Sequence, residues 1–337
     1  MFSGLRRLGS SREGDPMSPP GFRPVDRRTL ATAVLAAAAL LLAACSPARS
    51  GLRVGDQRGS IRSLLRAAGE LDNVPYRIEW ATFPVGAPLV EAISAGAVDF
   101  GYVGSSTMTF GLASGAPLKA ITVWTFEGPG SGILVRGDGP IRTVADLRGR
   151  KIAVVRGSPG HLLVIRALQQ AGVPLAAVTM VYLPAGDAKA ALSSGAIDAW
   201  AIWDPYLAIG ELQDHQRVLV TSAQVSKETE TGVASQTAVA SKRAQLLDFM
   251  ARVSRAYRWA EAHPEQMAQA YAAETGLPLE VARYTRGRMH VKVLPAVTDA
   301  AIAGHQRDAD VYAEVGLIPT RLDIRQVYDR SFVSPAG

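Results

Sequence analysis

Two thirteen-residue stretches of this 337-residue chain repeat each other without a gap: AISAGAVDFGYVG (92–104) and ALSSGAIDAWAIW (191–203). Gly96 matches Gly195, and Asp99 matches Asp198. In each, a helical pattern stops at a glycine and a short apolar run of strand length follows. Helix–glycine–strand is common wherever helices alternate with buried strands. The shared aspartate and the ungapped alignment favour duplication, and so predict two similar α/β lobes.

The rest of the chain alternates in the same way. LRVGD (52–56) reads as a strand, IRSLLRAAGEL (61–71) as an amphipathic helix and YRIEWATF (76–83) as a strand with period-two alternation. KIAVV (151–155), HLLVIRALQQAG (161–172) and VTMVYL (178–183) repeat strand, helix, strand. Such alternation argues for mixed, mainly parallel sheets with helices on both faces. From Ala244 onward the pattern is mostly helical, with breaks at Pro264, Gly276-Leu277-Pro278 and Pro295. The expected division is residues 52–135 with 237–337 as one lobe and 136–236 as the other.

In open α/β sheets, ligands sit outside the carboxyl ends of the strands. The duplicated strands end at Gly104-Ser105-Ser106 and at Trp203-Asp204-Pro205, so these two ends are expected to face each other across a cleft. Three strand-to-helix turns carry polar groups to such ends. In VRGSPGHLL, Gly157 permits a tight turn, Ser158 is a good N-cap and Pro159 suits the first helical position. The turn serves either as a plain cap or as a seat for an anion at the helix start. His161 there either donates to an anion or is exposed. Ser105, Ser106 and Thr107 offer hydroxyls in the second turn, and Gln57, Arg58 and Ser60 offer polar side chains in the third.

No catalytic set stands out. The five histidines lack the spacing of metal ligands, no GxSxG elbow is present, and no GxGxxG opens a helix. Neither a metal nor a cofactor is expected. Asp198 and Asp204 read as a strand-edge carboxylate and a turn-former rather than an acid/base pair. Cys45 is the sole cysteine, which excludes a cysteine nucleophile, a disulfide or a thiolate metal site in the folded part.

The first 45 residues read as an export leader. Half of the formal net charge of +6 sits there, six arginines against Glu13, Asp15 and Asp26, so the remainder carries no nucleic-acid signature. Arg27-Arg28 precede an apolar run from Leu30 to Ala44, shorter than the roughly 20 residues that span a bilayer. LAAC (42–45) resembles a lipobox, with Cys45 as the expected lipidation site. The alternative is an ordinary signal peptide with an incidental cysteine. Met17 offers a second start, and DRRTL weakly resembles a twin-arginine signal. Residues 46–51 read as a linker.

TVADLRGRKIAVVRGSPGHLLVIRALQQAGV, VYLPAGDAKAALSSGAIDAWAIWDPY and WATFPVGAPLVEAISAGAVDFGYVG together resemble the aliphatic sulfonate-binding proteins of ABC importers. That group also includes taurine, nitrate and thiamine-precursor binders. The resemblance extends from Leu52 nearly to the end. It implies a type II periplasmic-binding-protein fold, two α/β lobes with hinge strands, and an organosulfonate or similar small organic anion closed between them. It further implies an exported monomer, lipid-anchored at Cys45, that works with an ABC permease and its ATPase. Gln57 stands where the family has its first-turn glutamine. Gly157, Ser158 and His161 stand at its anion-holding turn, and Trp203-Asp204 at its second-lobe wall. Departures fall at Ser105-Ser106, at Pro159, and after Gly232, where VASQTAVAS brings Gln236 in place of an aromatic. Alternative readings are a receptor for taurine, nitrate or a pyrimidine, or an enzyme using His161 as base. A desulfinase of this fold relies on a cysteine, which residues 46–337 lack.

Overall fold

A computed structural model describes residues 51–225, 229–288 and 290–333. The leader, Cys45 and most of the linker lie outside the described residues. In chain order the first part runs β1 (Leu52–Gln57), α1 (Ser60–Ala67), β2 (Ile78–Phe83), α2 (Gly86–Ser94), β3 (Phe100–Gly104), α3 (Ser105–Ala113) and β4 (Leu118–Glu127). Then follow β5 (Ser131–Val135), β6 (Lys151–Val154), α4 (Pro159–Gln170), β7 (Thr179–Tyr182), α5 (Ala185–Ser194), β8 (Ala199–Trp203), α6 (Tyr206–Leu212), β9 (Arg217–Thr221) and α7 (Ser222–Val225). The last part is β10 (Thr229–Ser235), α8 (Gln236–Ser241), α9 (Arg243–Ala262), α10 (Pro264–Thr275), α11 (Leu279–Gly287), β11 (His290–Val293) and α12 (Asp299–Glu314).

The strands form two sheets, ordered β11-β4-β10-β3-β1-β2 and β7-β6-β8-β5-β9. Each has a parallel core of three strands, β2-β1-β3 and β7-β6-β8, continued by antiparallel strands on one side. The internal repeat maps onto this symmetry, because β3 and β8 occupy the same place in their sheets. Gly96 and Gly195 both terminate the preceding helix with φ of +71° and +76°, a conformation glycine adopts without steric cost.

The paired aspartates do the same work. Arg53 N–H donates to Asp99 Oδ2 at 2.7 Å, and Asp99 N–H donates to Arg53 O at 2.9 Å. In the second sheet Lys151 N–H donates to Asp198 Oδ2 at 2.8 Å, and Asp198 N–H donates to Lys151 O at 2.9 Å. Each carboxylate thus completes the hydrogen bonding at the entry of the central strand, where a sheet otherwise leaves a donor unpaired.

Two assignments of strands to lobes change. β5 falls within 52–135 but pairs with β8 and β9 in the five-stranded sheet. β10 falls within 136–236 but pairs with β3 and β4 in the six-stranded sheet. The chain therefore crosses between sheets before β5 and before β10, several residues ahead of the expected boundaries. Helices cover both faces of both sheets. On the six-stranded sheet one face buries Leu64, Phe100, Trp124 and Phe249, and the other buries Leu89, Met108, Val123 and Ile324. Leu163, Val164, Leu192 and Trp200 fill the two faces of the smaller sheet.

Candidate functional site

The site is built at the carboxyl ends of both parallel cores. Asp56, at the end of β1, accepts backbone N–H groups from Ile61 and Arg62, each at 3.0 Å. Its buried carboxylate so caps α1 across the turn, and Arg58 within that turn takes a left-handed φ of +55°. Burial pushes the Asp56 carboxyl up to about 6, against the pull of those two N–H groups. Gln57 Nε2 donates to Tyr102 O at 2.7 Å, tying the ends of β1 and β3 together.

Ser105 and Ser106 open α3 and are both buried. The first N–H groups of any helix lack helical partners, and these residues line the cavity between the sheets. Their turn is braced from behind by His305 on α12. His305 Nε2 lies 3.0 Å from Ser105 O and 2.8 Å from Thr109 Oγ1, and Nδ1 lies 2.9 Å from the Tyr328 hydroxyl. Burial pushes the His305 imidazole down to about 4, so it stands neutral at pH 7. Nothing in the local sequence around His305 announces this brace, which joins residues 200 positions apart.

The turn before α4 serves its own helix. Ser158 Oγ accepts the His161 N–H at 3.3 Å. Gly157 N–H donates to His161 Nδ1 at 3.3 Å, Ser158 N–H donates to Val155 O at 3.2 Å, and Pro159 has no N–H. The backbone N–H groups of Gly157, Ser158 and His161 are thus engaged within the turn. Ser158 itself lines the cavity; Gly157 and His161 do not. His161 is wholly buried, contrary to the exposed alternative, with its ring among Phe110, Tyr182 and Tyr312 and its Nε2 without a hydrogen-bond partner. Burial pushes its pKa down to about 4, aided by the nearby Arg156 charge. Gly157 is required twice over: φ is +70°, and a Cβ would stand 2.8 Å from Phe110 Cγ.

Trp203 and Asp204 end β8 and line the same cavity as Ser105 and Ser106, the juxtaposition expected from the repeat. Trp203 is partly exposed, as a wall residue must be. Asp204 is already engaged. Its carboxylate accepts Arg288 Nε at 2.9 Å and Nη2 at 2.5 Å, and it accepts the Ala208 N–H at 3.1 Å to cap α6. Burial raises its pKa, and Arg288 opposes that rise. Arg288 also pairs with Glu211. Gln236 is a correction: it is exposed at the start of α8, outside the cavity. β10 runs antiparallel to β3, so Glu230 at its start meets Gly104 while Gln236 lies beyond its far end.

The cavity holds about 1510 Å³ of atom-free space, part of it open solvent. Arg58, Arg156 and Arg286 line it, and none forms an ion pair among the described residues. Each guanidinium lies over a tyrosine instead: Arg58 over Tyr206 at 4.8 Å, Arg156 over Tyr182 at 5.5 Å and Arg286 over Tyr271 at 5.6 Å. The walls also carry Phe126, Tyr257 and Tyr271. Of the arginines, Arg156 and Arg286 went unread in the sequence, and so did the cleft-crossing Arg288. The arrangement suits a small organic anion: cations and hydroxyls for its polar groups, aromatic faces for the rest. Among the described residues no cluster of acidic, histidine or cysteine side chains could hold a metal ion.

Other contacts cross between the two sheets' halves. Thr107 Oγ1 donates to Gly157 O at 3.2 Å, and Arg166 on α4 pairs with Asp308 on α12 at 3.1 Å. Leu162 and Ile165 of α4 pack with Val311, Tyr312 and Ile318 around α12.

Residues 84–267 match the NMT1/THI5-like family model. The chain is 35% identical over 301 residues to the putative aliphatic sulfonates-binding protein of Escherichia coli K12, covering 88% of this chain and 94% of that protein. The crystal structure of the periplasmic aliphatic sulphonate-binding protein SsuA from Escherichia coli superposes with a TM-score of 0.75 at 35% identity, covering 84% of this chain and 92% of that one. The alkanesulfonate-binding protein SsuA from Xanthomonas axonopodis pv. citri, bound to MOPS, gives a TM-score of 0.75 at 30% identity, covering 84% of this chain and 99% of that one. With a matching family model over more than half its length and relatives matched almost end to end, the chain belongs to the NMT1/THI5-like family, alongside these sulfonate-binding proteins.

Proposed function

We propose that this protein is the receptor of an ABC importer that captures an organosulfonate between two lobes and delivers it to a permease. The observation that carries the reading is the cavity itself. Arg58 and Arg156 face it without carboxylate partners, next to the hydroxyls of Ser105, Ser106 and Ser158 and the ring of Trp203. A sulfonate offers three acceptor oxygens and one negative charge, which that set of donors matches, and an organic tail fits the aromatic walls. The anion head belongs at the start of α3, where helix N–H groups and dipole point outward. The relatives' sulfonate ligands support the same class.

The two lobes are the two sheets with their covering helices, joined by the crossings before β5 and β10. Ligand closes them, and the closed form engages the permease. The role proposed is binding rather than catalysis, in keeping with the binding proteins the chain resembles. The protein is exported to the periplasm or cell surface and held there through a lipid on Cys45.

Isothermal titration against ethanesulfonate, hexanesulfonate, taurine, nitrate and a pyrimidine tests the reading. Heat from the alkanesulfonates with none from the pyrimidine is expected. Binding of the pyrimidine alone, or of no anion, would overturn it. Product formation from a sulfonate by the purified protein would overturn the receptor role, and mature protein lacking acyl mass on Cys45 would overturn the anchor.

A further inference from the structure

Thr285 sits in the last turn of α11, is 2% exposed, and has a buried hydroxyl with no hydrogen-bond partner, yet the residue lines the cavity. Buried polar atoms nearly always find partners. A hydroxyl left unpaired on a cavity wall therefore marks a position that a bound molecule completes. The next residue, Arg286, lines the same wall, with its guanidinium against the Tyr271 ring and no ion pair among the described residues. Two of the carboxylates on this cavity, Asp204 and Asp308, are bound by Arg288 and Arg166.

The Tyr257 end of this wall lies apart from the sulfonate seat. Gly104 on β3, Glu230 on β10 and Trp124 on β4 lie side by side in register. At about 4.8 Å per strand, β4 lies roughly 10 Å from the strand that leads into Ser105. Tyr257 stands on Trp124 with ring centroids 5.0 Å apart, and it lines the cavity with Tyr271. Arg286 is close enough to Tyr257 and Tyr271 to bias the titration of both. A head group at Ser105 and Ser106 thus leaves the Tyr257–Tyr271–Thr285–Arg286 wall facing the ligand's other end.

We propose that Thr285 and Arg286 form a second polar subsite that takes a carboxylate at the far end of the sulfonate ligand. The guanidinium presents a planar fork that fits a carboxylate, and the Thr285 hydroxyl supplies one further donor. The preferred cargo is accordingly a sulfonate with a second anionic group, held at both ends with its middle against tyrosine rings. This inference rests on the sulfonate reading above.

Calorimetric titration of length-matched pairs tests it, each pair an unbranched alkanesulfonate of three to six carbons and its ω-carboxylate counterpart. At the best length the wild-type protein is expected to bind the carboxylated member about tenfold tighter or more. Thr285→Val and Arg286→Gln are each expected to cut that preference at least several-fold while leaving affinity for the plain alkanesulfonate within about threefold. Equal affinity for both members, or variants that weaken both alike, would overturn the subsite while leaving the sulfonate receptor standing. Failure of every sulfonate to bind would overturn both.

Discussion

Arg288→Ala is expected to loosen the closed protein more than any other single change at the cleft. Arg288 reaches from the end of α11 to Asp204 and Glu211 on the other side, and the side chains of Arg288 and Asp204 are only 13% and 3% exposed. Removing one partner of a buried pair costs about 3–5 kcal/mol, because the other charge is left unpaired. Asp204 keeps one donor, the Ala208 N–H at 3.1 Å, and opening the cleft lets water reach it. A net loss of about 2–3 kcal/mol from the closed state relative to the open one follows. Ligand binds the closed state, so its apparent affinity falls roughly 30- to 150-fold. Titration of wild type, Arg288→Ala, Asp204→Asn and the double variant with hexanesulfonate measures both the loss and its coupling. A coupling of about 2 kcal/mol is expected for groups in direct contact. Arg288→Ala binding within threefold of wild type, or coupling below about 0.5 kcal/mol, would refute the reasoning. Small-angle scattering of the ligand-free variant adds a second reading, since a lost clamp raises the radius of gyration.

Trp203 lines the cavity and also packs against the core cluster that holds Leu192 and Trp200, so Trp203→Ala weakens binding tenfold or more and lowers the melting temperature as well; an unchanged affinity by titration would place the tail elsewhere. Ser158→Ala removes the N-cap of α4 and costs about 1 kcal/mol of stability by denaturant melt, with a smaller effect on affinity than Trp203→Ala. Gly157→Ala costs more than Ser158→Ala, because the added methyl meets both a positive φ and Phe110; equal stability would contradict the φ assignment. His161 and His305 hold folded pKa values of about 4 against about 6.5 unfolded, so their stabilising effect is complete above pH 6.5 and is lost as pH falls toward 4. Asp56, raised to about 6 when folded, acts in the opposite sense, costing stability as pH rises from about 4 to 6. Asp56→Asn therefore gains up to about 3 kcal/mol relative to wild type across that window, and a flat difference in urea melts between pH 4 and 7 would rule out the assigned shift.

The repeat carried most of the fold because it encodes a local device. Glycine ends a helix, and an aspartate then closes the entry of the neighbouring strand, within a few residues and in both halves. Placing Trp203 opposite Ser105 and Ser106 needed only that device and the rule that ligands sit at the carboxyl ends of strands. The sheet membership of β5 and β10 was not legible, since an apolar run of five to seven residues does not say which sheet it joins. Arg288 and Arg286 escaped for a similar reason. Arg288 meets a partner 84 positions away, and only the packing of α10 and α11 against the cavity brings them there. The exposed alternative for His161 failed because a first-turn histidine after a good N-cap has an outward face by pattern alone; the aromatic rings that enclose it come from α3, β7 and α12.

The pairing of Thr229 with Thr125 has a further consequence. β4 and β10 are adjacent antiparallel strands whose ends lie within a turn's reach, so with residues 129–228 excised they would make an ordinary β-hairpin. The whole five-stranded sheet is thus one insertion at the tip of that ribbon. The six strands of the other sheet and all of α8 to α12 lie outside it, whereas the insertion is one unbroken segment from β5 to α7. Such an architecture lets the pair of sheets bend by twisting two strands rather than by unfolding either one.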